Sequence, residues 1–241
     1  ALMANALLTF QDAYGYVTEL LSGDFNTAFG RSSHHQIWSE AMVVSPLLRG
    51  LFGIEATHAG KVLAFSPQVP ADWGHYTINH LRVGADLVNI TMSRTTSGSA
   101  YDFSGNTNGA NVQFSPIFPN DALIKSVSIN GKIVPHKTEP FGDGIKLTLQ
   151  SFPAQRTEVH IQHTKGTNVY TRQTEAPLGA KNTQIKVIRA KTEANTLYLT
   201  VDGLKGSTQS VFVRTDKVLK EAPDTIVNRL PNGDQEVKII F

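Results

Sequence analysis

Glu19–Gly53 reads ELLSGDFNTAFGRSSHHQIWSEAMVVSPLLRGLFG, and the fold turns on where its helical pattern stops. A carboxylate stands beside a Ser-Gly-Asp turn, and a polar loop with two phenylalanines follows. Ser33 and Gln36 make the S-x-x-Q form of a capping box, in which each side chain bonds the other's backbone N–H, so a helix is expected to start there. Ile37, Ala41, Val44, Leu48 and Leu51 recur at spacings of four and three, which places them on one helical face and predicts a buried helix. Pro46 removes a backbone donor and crowds the preceding turn, so a kink or split is expected at that point. Gly53 is the expected C-terminal stop.

Beyond this helix the period changes. Val62–Phe65 is a strand candidate, and Ser66–Trp73, with two prolines, reads as a crossing segment. Short alternating runs separated by turn signals then dominate, the pattern of an antiparallel sandwich. The candidate strands are Tyr76–Val83, Leu87–Ser93, Ala110–Phe114, Ile124–Ile129, Ile145–Leu149 and Glu158–His163. Asn130-Gly131 is a strong hairpin signal, since both positions tolerate positive φ. Gly98–Gly109, rich in Ser, Asn, Thr and Gly, reads as a loop or wide turn, and Thr164–Lys181 reads as a linker. After it come Ile185–Ile188, Leu197–Val201, Ser210–Arg214, Thr225–Arg229 and Glu236–Phe241, the last two joined by a turn at Asn232-Gly233-Asp234.

The expected class is therefore mainly β: one or more antiparallel β-sandwiches preceded by two or three helices. Residues 1–60 would be helical, 61–165 a β-sandwich, and 166–241 further strands or a small second β-module. The opening ALMANALLTF lacks a basic leader and reads as the middle of a helix rather than as a signal peptide, so sequence upstream of Ala1 is expected.

Composition narrows the function. The chain has 241 residues, 40% of them hydrophobic and 17% charged, and a net charge of +2. Its Lys and Arg are scattered, without the clustered footprint of a nucleic-acid binder. With no cysteine, neither a disulfide framework nor a thiolate metal site exists. No apolar run approaches the roughly 20 residues that cross a bilayer. His34 and His35 diverge by about 100° on a helix and chelate poorly. Glu55 and His58 form a single E-x-x-H pair, whereas bridged carboxylate sites need two such pairs and further glutamates. His58 is better explained as a favourable charge at a helix C-terminus. Neither a metal nor another cofactor is expected. A G-x-S-x-G elbow and a phosphate-binding glycine loop are also missing from the sequence.

The order Glu-x-x-Ser-Gly-Asp, then Ser-Ser-x-His-Gln-x-Trp-Ser, then a Pro-containing helix ending Leu-Leu-Arg-Gly-Leu-Phe-Gly resembles the end of the catalytic domain in bacterial (α/α)6-toroid glycoside hydrolases. The likeness is to the glycogen-debranching-like and α-L-rhamnosidase-like groups. VLAFSPQVPADW at Val62–Trp73 resembles their exit into a C-terminal β-sandwich. The resemblance is specific over residues 15–73 and vaguer beyond. It implies that residues 1–60 are the last helices of a toroid whose remainder, with the general acid, lies upstream in the same polypeptide.

Such enzymes invert the anomeric centre with two carboxyl groups, one protonating the leaving oxygen and one activating water. By resemblance, Glu19 is the general base and a carbohydrate is the substrate. Asp24 either orients a sugar hydroxyl or stabilises its own turn, the simpler reading. Phe25 and Trp38 are candidates to stack on a sugar ring, although Trp38 beside Ile37 also suits a core. His34 and Gln36 are candidates for bonding sugar hydroxyls at the helix entrance, Gln36 being already explained by the cap. Tyr101, Phe103, Tyr170 and Tyr198 could make a carbohydrate-binding surface, but strand alternation puts most of them in the core. Alone, the chain is expected to be inactive, and a periplasmic or secreted location is favoured over a cytoplasmic one. The competing expectation is a non-catalytic β-sandwich module that binds carbohydrate or serves as a structural accessory.

Overall fold

A computed structural model describes residues 18–20, 22, 24–25, 27–30, 32–33, 36–95, 97–106, 109–172, 177, 179–181 and 183–241. Strand makes up 53% and helix 8% of the structure, so the class is mainly β with antiparallel sheets behind a short helix. The helix expected within residues 1–21 falls mostly outside the described residues; Thr18–Leu20 are not helical.

Helix α1 spans Ile37–Ser45 and passes into a π-helical turn over Pro46–Leu51. The division expected at Pro46 is present: the α-helix ends at Ser45 and the proline opens the π-helical turn. It marks the change from α to π hydrogen bonding, in keeping with the donor it lacks. Ser33 is not the cap. Gln36, with extended backbone, occupies that position and makes no side-chain capping bond. Gly53 closes the helical segment with φ +57, and a Cβ there would stand 2.6 Å from the Ser66 carbonyl oxygen.

The predicted helical face is buried at one end only. Leu47, Leu48 and Leu51 pack against the sandwich core and Phe52 is buried in it. Ile37, Trp38, Met42 and Val44 are exposed, Trp38 by 66% and Met42 by 72%. An apolar period shows which side chains share a face, and the sandwich reaches only the last two turns of that face.

The sandwich has a six-stranded antiparallel sheet in the order β3 (His75–Val83), β4 (Asp86–Arg94), β5 (Gly98–Asn106), β13 (Thr157–His163), β8 (Ile124–Ile129) and β9 (Lys132–Ile133). Two smaller sheets cover it. One is β1 (Ile54–Thr57), β2 (Val62–Phe65), β6 (Asn111–Phe114) and β12 (Phe152–Pro153); the other is β10 (His136–Phe141), β11 (Gly144–Leu149) and β7 (Ile117–Pro119). Every pair is antiparallel except β2 with β6, which run parallel with Leu63 opposite Val112. Val88, Ile90 and Met92 of β4 and Val159 and Ile161 of β13 alternate inward, as half-buried strands require. Phe65, Phe103, Phe114 and Phe152 form a ring cluster between the layers; Phe65 and Phe114 stack at 5.6 Å, and Phe103 meets Phe114 edge-on at the same distance.

Gly98–Gly109 is a correction. It contains β5, a central strand, and not a loop. Its glycines are there because neighbouring backbones come close: a Cβ on Gly105 would collide with the Leu87 carbonyl oxygen, and one on Gly98 with that of Ile161. Tyr101 and Phe103, between them, point into the core. His58 does not end the α1 segment as expected but lies beyond the strand that follows it. Glu55 is in β1, and His58 sits in a tight turn with φ +52.

Among the described residues, the strands after His163 pair only with one another. β14 (Asn168–Tyr170), β17 (Thr208–Arg214), β19 (Gln235–Ile240) and β18 (Thr225–Arg229) form one sheet, and β15 (Lys186–Glu193) and β16 (Thr196–Asp202) form a hairpin. The second core is Val211, Val213 and Val237, with Val187, Leu197, Leu199 and Ile239 around it. Strand β14 lies inside the stretch expected to be linker, because pairing with β17 satisfies its backbone.

Candidate functional site

Two regions carry functional-looking chemistry. The first is the entrance of α1. Glu19 N–H donates to the Ser33 carbonyl at 2.8 Å, the Glu19 carboxylate accepts the Ser33 N–H at 3.4 Å, and Ser39 Oγ donates to the Glu19 carbonyl at 3.3 Å. Thr18 Oγ1 and Ser32 Oγ share a buried hydrogen bond of 2.7 Å, and Ser32 Oγ also accepts the Leu20 N–H. These bonds lash the 18–20 segment to the 32–33 segment and bring Glu19 to the head of α1, with its side chain exposed. Gln36 is partly exposed, and Trp38 on the next turn faces outward.

Asp24 sits in an exposed turn that Ser22 organises, its Oγ accepting the Asp24 and Phe25 N–H groups. Phe25 is half-exposed and bridges to Lys181. His34 lies outside the described residues. The structure thus gathers Glu19, Gln36 and Trp38 at one helix entrance and puts Asp24 and Phe25 in the loop before it.

The second region is a cleft of about 740 Å³ where the sandwich meets the C-terminal module. Of the candidates from the sequence, Tyr101 lines it, whereas Glu19, Asp24, Phe25, Gln36 and Trp38 do not. Arg94, at the end of β4, donates through Nη1 to the Ala71 carbonyl at 3.1 Å, and Arg214, at the end of β17, donates to the same oxygen. Burial lowers the pKa of Arg94, and the nearby Arg214 charge pushes the same way. Arg214 is a two-pronged partner of Asp234, with both N–H···O distances 3.0 Å; the Tyr170 hydroxyl donates to the same carboxylate at 2.6 Å. Burial alone would raise the Asp234 carboxyl, but the hydrogen bonds from Arg214 and Tyr170 outweigh it and hold it below the usual range.

His163 ends β13 on the inward side, against Phe118. Its Nδ1 lies 2.7 Å from the Thr164 carbonyl, which can only accept, so Nδ1 carries the proton. Nε2 is then the acceptor of the Ser99 hydroxyl at 2.9 Å. Burial lowers the His163 pKa and keeps the ring neutral, with its backbone bond opposing. Both ring nitrogens are engaged and no carboxylate backs the pair, so it joins two strand ends and does not form a nucleophile with its base.

The module is docked mainly through polar contacts. The Asp121 carboxylate accepts both the N–H and the hydroxyl of Thr167 at 2.7 Å and pairs with Lys217 at 3.2 Å. Arg189 grips Asp143 at 3.0 Å. Ala71 enters the small apolar cluster made by Tyr170 and Phe212.

No family model matches the chain, and no curated protein or solved structure matches it. Among the described residues no three His, Asp or Glu side chains are placed to share a metal ion, and no helix is long and apolar enough to cross a membrane.

Proposed function

We propose that these residues are the C-terminal part of an inverting glycoside hydrolase acting on an oligo- or polysaccharide, with Glu19 as its general base. The observation that carries the reading is the entrance of α1. An exposed carboxylate is held there by hydrogen bonds to Ser33 and Ser39, the latter next in sequence to the exposed Trp38, on a helix whose first two turns present uncovered apolar residues. Helices of a toroid in the same polypeptide would cover Ile37, Met42 and Val44 and supply the general acid.

In that mechanism water lies between the Glu19 carboxylate and the anomeric carbon. Glu19 accepts a proton from the water as its oxygen attacks, the glycosidic bond breaks on the opposite face, and the acid protonates the leaving oxygen. Carboxyl groups about 6.5–9.5 Å apart leave room for that water. Trp38 offers a plane for a pyranose face, and Gln36 and His34 offer bonds to its hydroxyls. The β-sandwich is the buttress that holds the last turns of the helix through Leu47, Leu48 and Leu51.

The test is Glu19→Gln in the polypeptide that carries this chain, assayed on a panel of glucosides and rhamnosides. Shape is kept and basicity lost, so turnover should fall by at least about a thousandfold with circular dichroism unchanged, general-base catalysis and positioned attack both being lost. Turnover within threefold of the parent removes Glu19 from the mechanism. Retention of anomeric configuration in the product would also refute the reading.

A further inference from the structure

We propose that the cleft between the sandwich and the C-terminal module is a binding site for an acidic saccharide, with the Arg94 guanidinium receiving a uronate carboxylate. This goes beyond the hydrolase reading and does not depend on Glu19.

The argument begins with the charges on the wall. Arg94, Lys165, Arg214, Asp143 and Asp234 line the cleft. Asp234 is spent on Arg214, Tyr170 and Asn232, and Asp143 on Arg189, which stands outside the lining. Arg94 and Lys165 are left without an ion pair among the described residues. Asp72 acts on Arg94 only through space, from an exposed position. Arg94 has used one N–H on Ala71, and a guanidinium has five in a planar fork that matches a carboxylate. A partly buried cation with spare donors favours an anion that can replace its lost water.

The saccharide follows from the rim. Phe141 lines the cleft while 48% exposed, and Lys146 approaches its ring at 5.6 Å. A half-exposed ring at the mouth of a polar, cationic cavity suits a ligand with one apolar face and one charged edge, as a hexuronic acid has. The volume is in the range that takes a small ligand of one to three rings.

The experiment is calorimetric titration of the full chain with a (1→4)-linked digalacturonate, its dimethyl ester, and acetate. Digalacturonate should bind, the ester at least tenfold more weakly, and acetate at least tenfold more weakly. Arg94→Gln should weaken digalacturonate binding by at least tenfold, and Phe141→Ala, at an exposed position, by at least threefold. Lys165→Met, which keeps the apolar stem, should weaken it severalfold and reduce its salt dependence, and it serves if Arg94→Gln lowers the melting temperature. Equal affinity for acid and ester overturns carboxylate recognition. Acetate binding as tightly as digalacturonate, with Phe141→Ala silent, reduces the site to a bare anion hole and overturns the saccharide. No heat at millimolar digalacturonate overturns the proposal outright. Since the readout is binding, none of these results bears on hydrolysis.

Discussion

Asp234→Asn should unfasten the C-terminal module without touching the sandwich. Asp234 precedes β19 and Arg214 ends β17, so their two 3.0 Å bonds tie the ends of the sheet's two central strands together, and the Tyr170 bond of 2.6 Å adds β14. The Asp234 side chain is 1% exposed and that of Arg214 22%. Removing one partner of a buried pair costs about 3–5 kcal/mol. Arg214 keeps some water and the Ala71 carbonyl, and asparagine can still accept from Tyr170, which argues for the lower end, about 3 kcal/mol. Native-state hydrogen exchange is the assay: amides of β14, β17 and β19 should lose about a hundredfold in protection or more, while those of β4 and β5 keep theirs. The pH dependence has a definite sign. The folded carboxyl titrates below its unfolded value, so the stabilisation is present above about pH 3.9 and is lost as pH falls through the folded pKa. The variant should lack that acid-side slope. A loss under about 1 kcal/mol, or an equal loss of protection in β4 and β5, would refute the reasoning.

Phe114→Ala removes a fully buried ring that touches Phe65, Tyr101 and Phe103, and should cost about 3–5 kcal/mol in urea unfolding. Gly84→Ala puts a Cβ 2.7 Å from the Gly60 carbonyl oxygen at φ +63, and should lower stability by more than about 1 kcal/mol in the same assay. Trp38→Ala should change the stability of this chain by no more than about 0.5 kcal/mol, since the side chain is largely in solvent; in a hydrolase assembled with its other helices it should raise KM severalfold.

Many strands were legible because one of their faces is at least partly buried. Val62–Phe65, Ile124–Ile129 and Thr225–Arg229 coincide with β2, β8 and β18, and the Asn130-Gly131 turn has φ +48 and +77 as a hairpin turn with two left-handed residues requires. Strand β5 was hidden for a physical reason. Its glycines, read as signs of mobility, allow close contact with neighbouring backbones, and only Tyr101 and Phe103 carry the alternation. The head of α1 was misread because Ser33 meets Glu19 and does not cap the helix. The cleft had no local signal at all. Arg94, His163, Arg214 and Asp234 are far apart in the chain, and each reads singly as a strand end or a turn residue.

The parallel seam between β2 and β6 imposes an order of events. Its partners stand roughly fifty positions apart, and a parallel join cannot be closed by a tight turn. During synthesis the β1–β2 hairpin leaves the ribosome before β6, with Leu63 and Phe65 bare until the meander of β3, β4 and β5 has been completed and β6 can slide in alongside. Such high contact order slows the first committed step and exposes a sticky edge meanwhile. Any chaperone that assists this chain should therefore act in that interval.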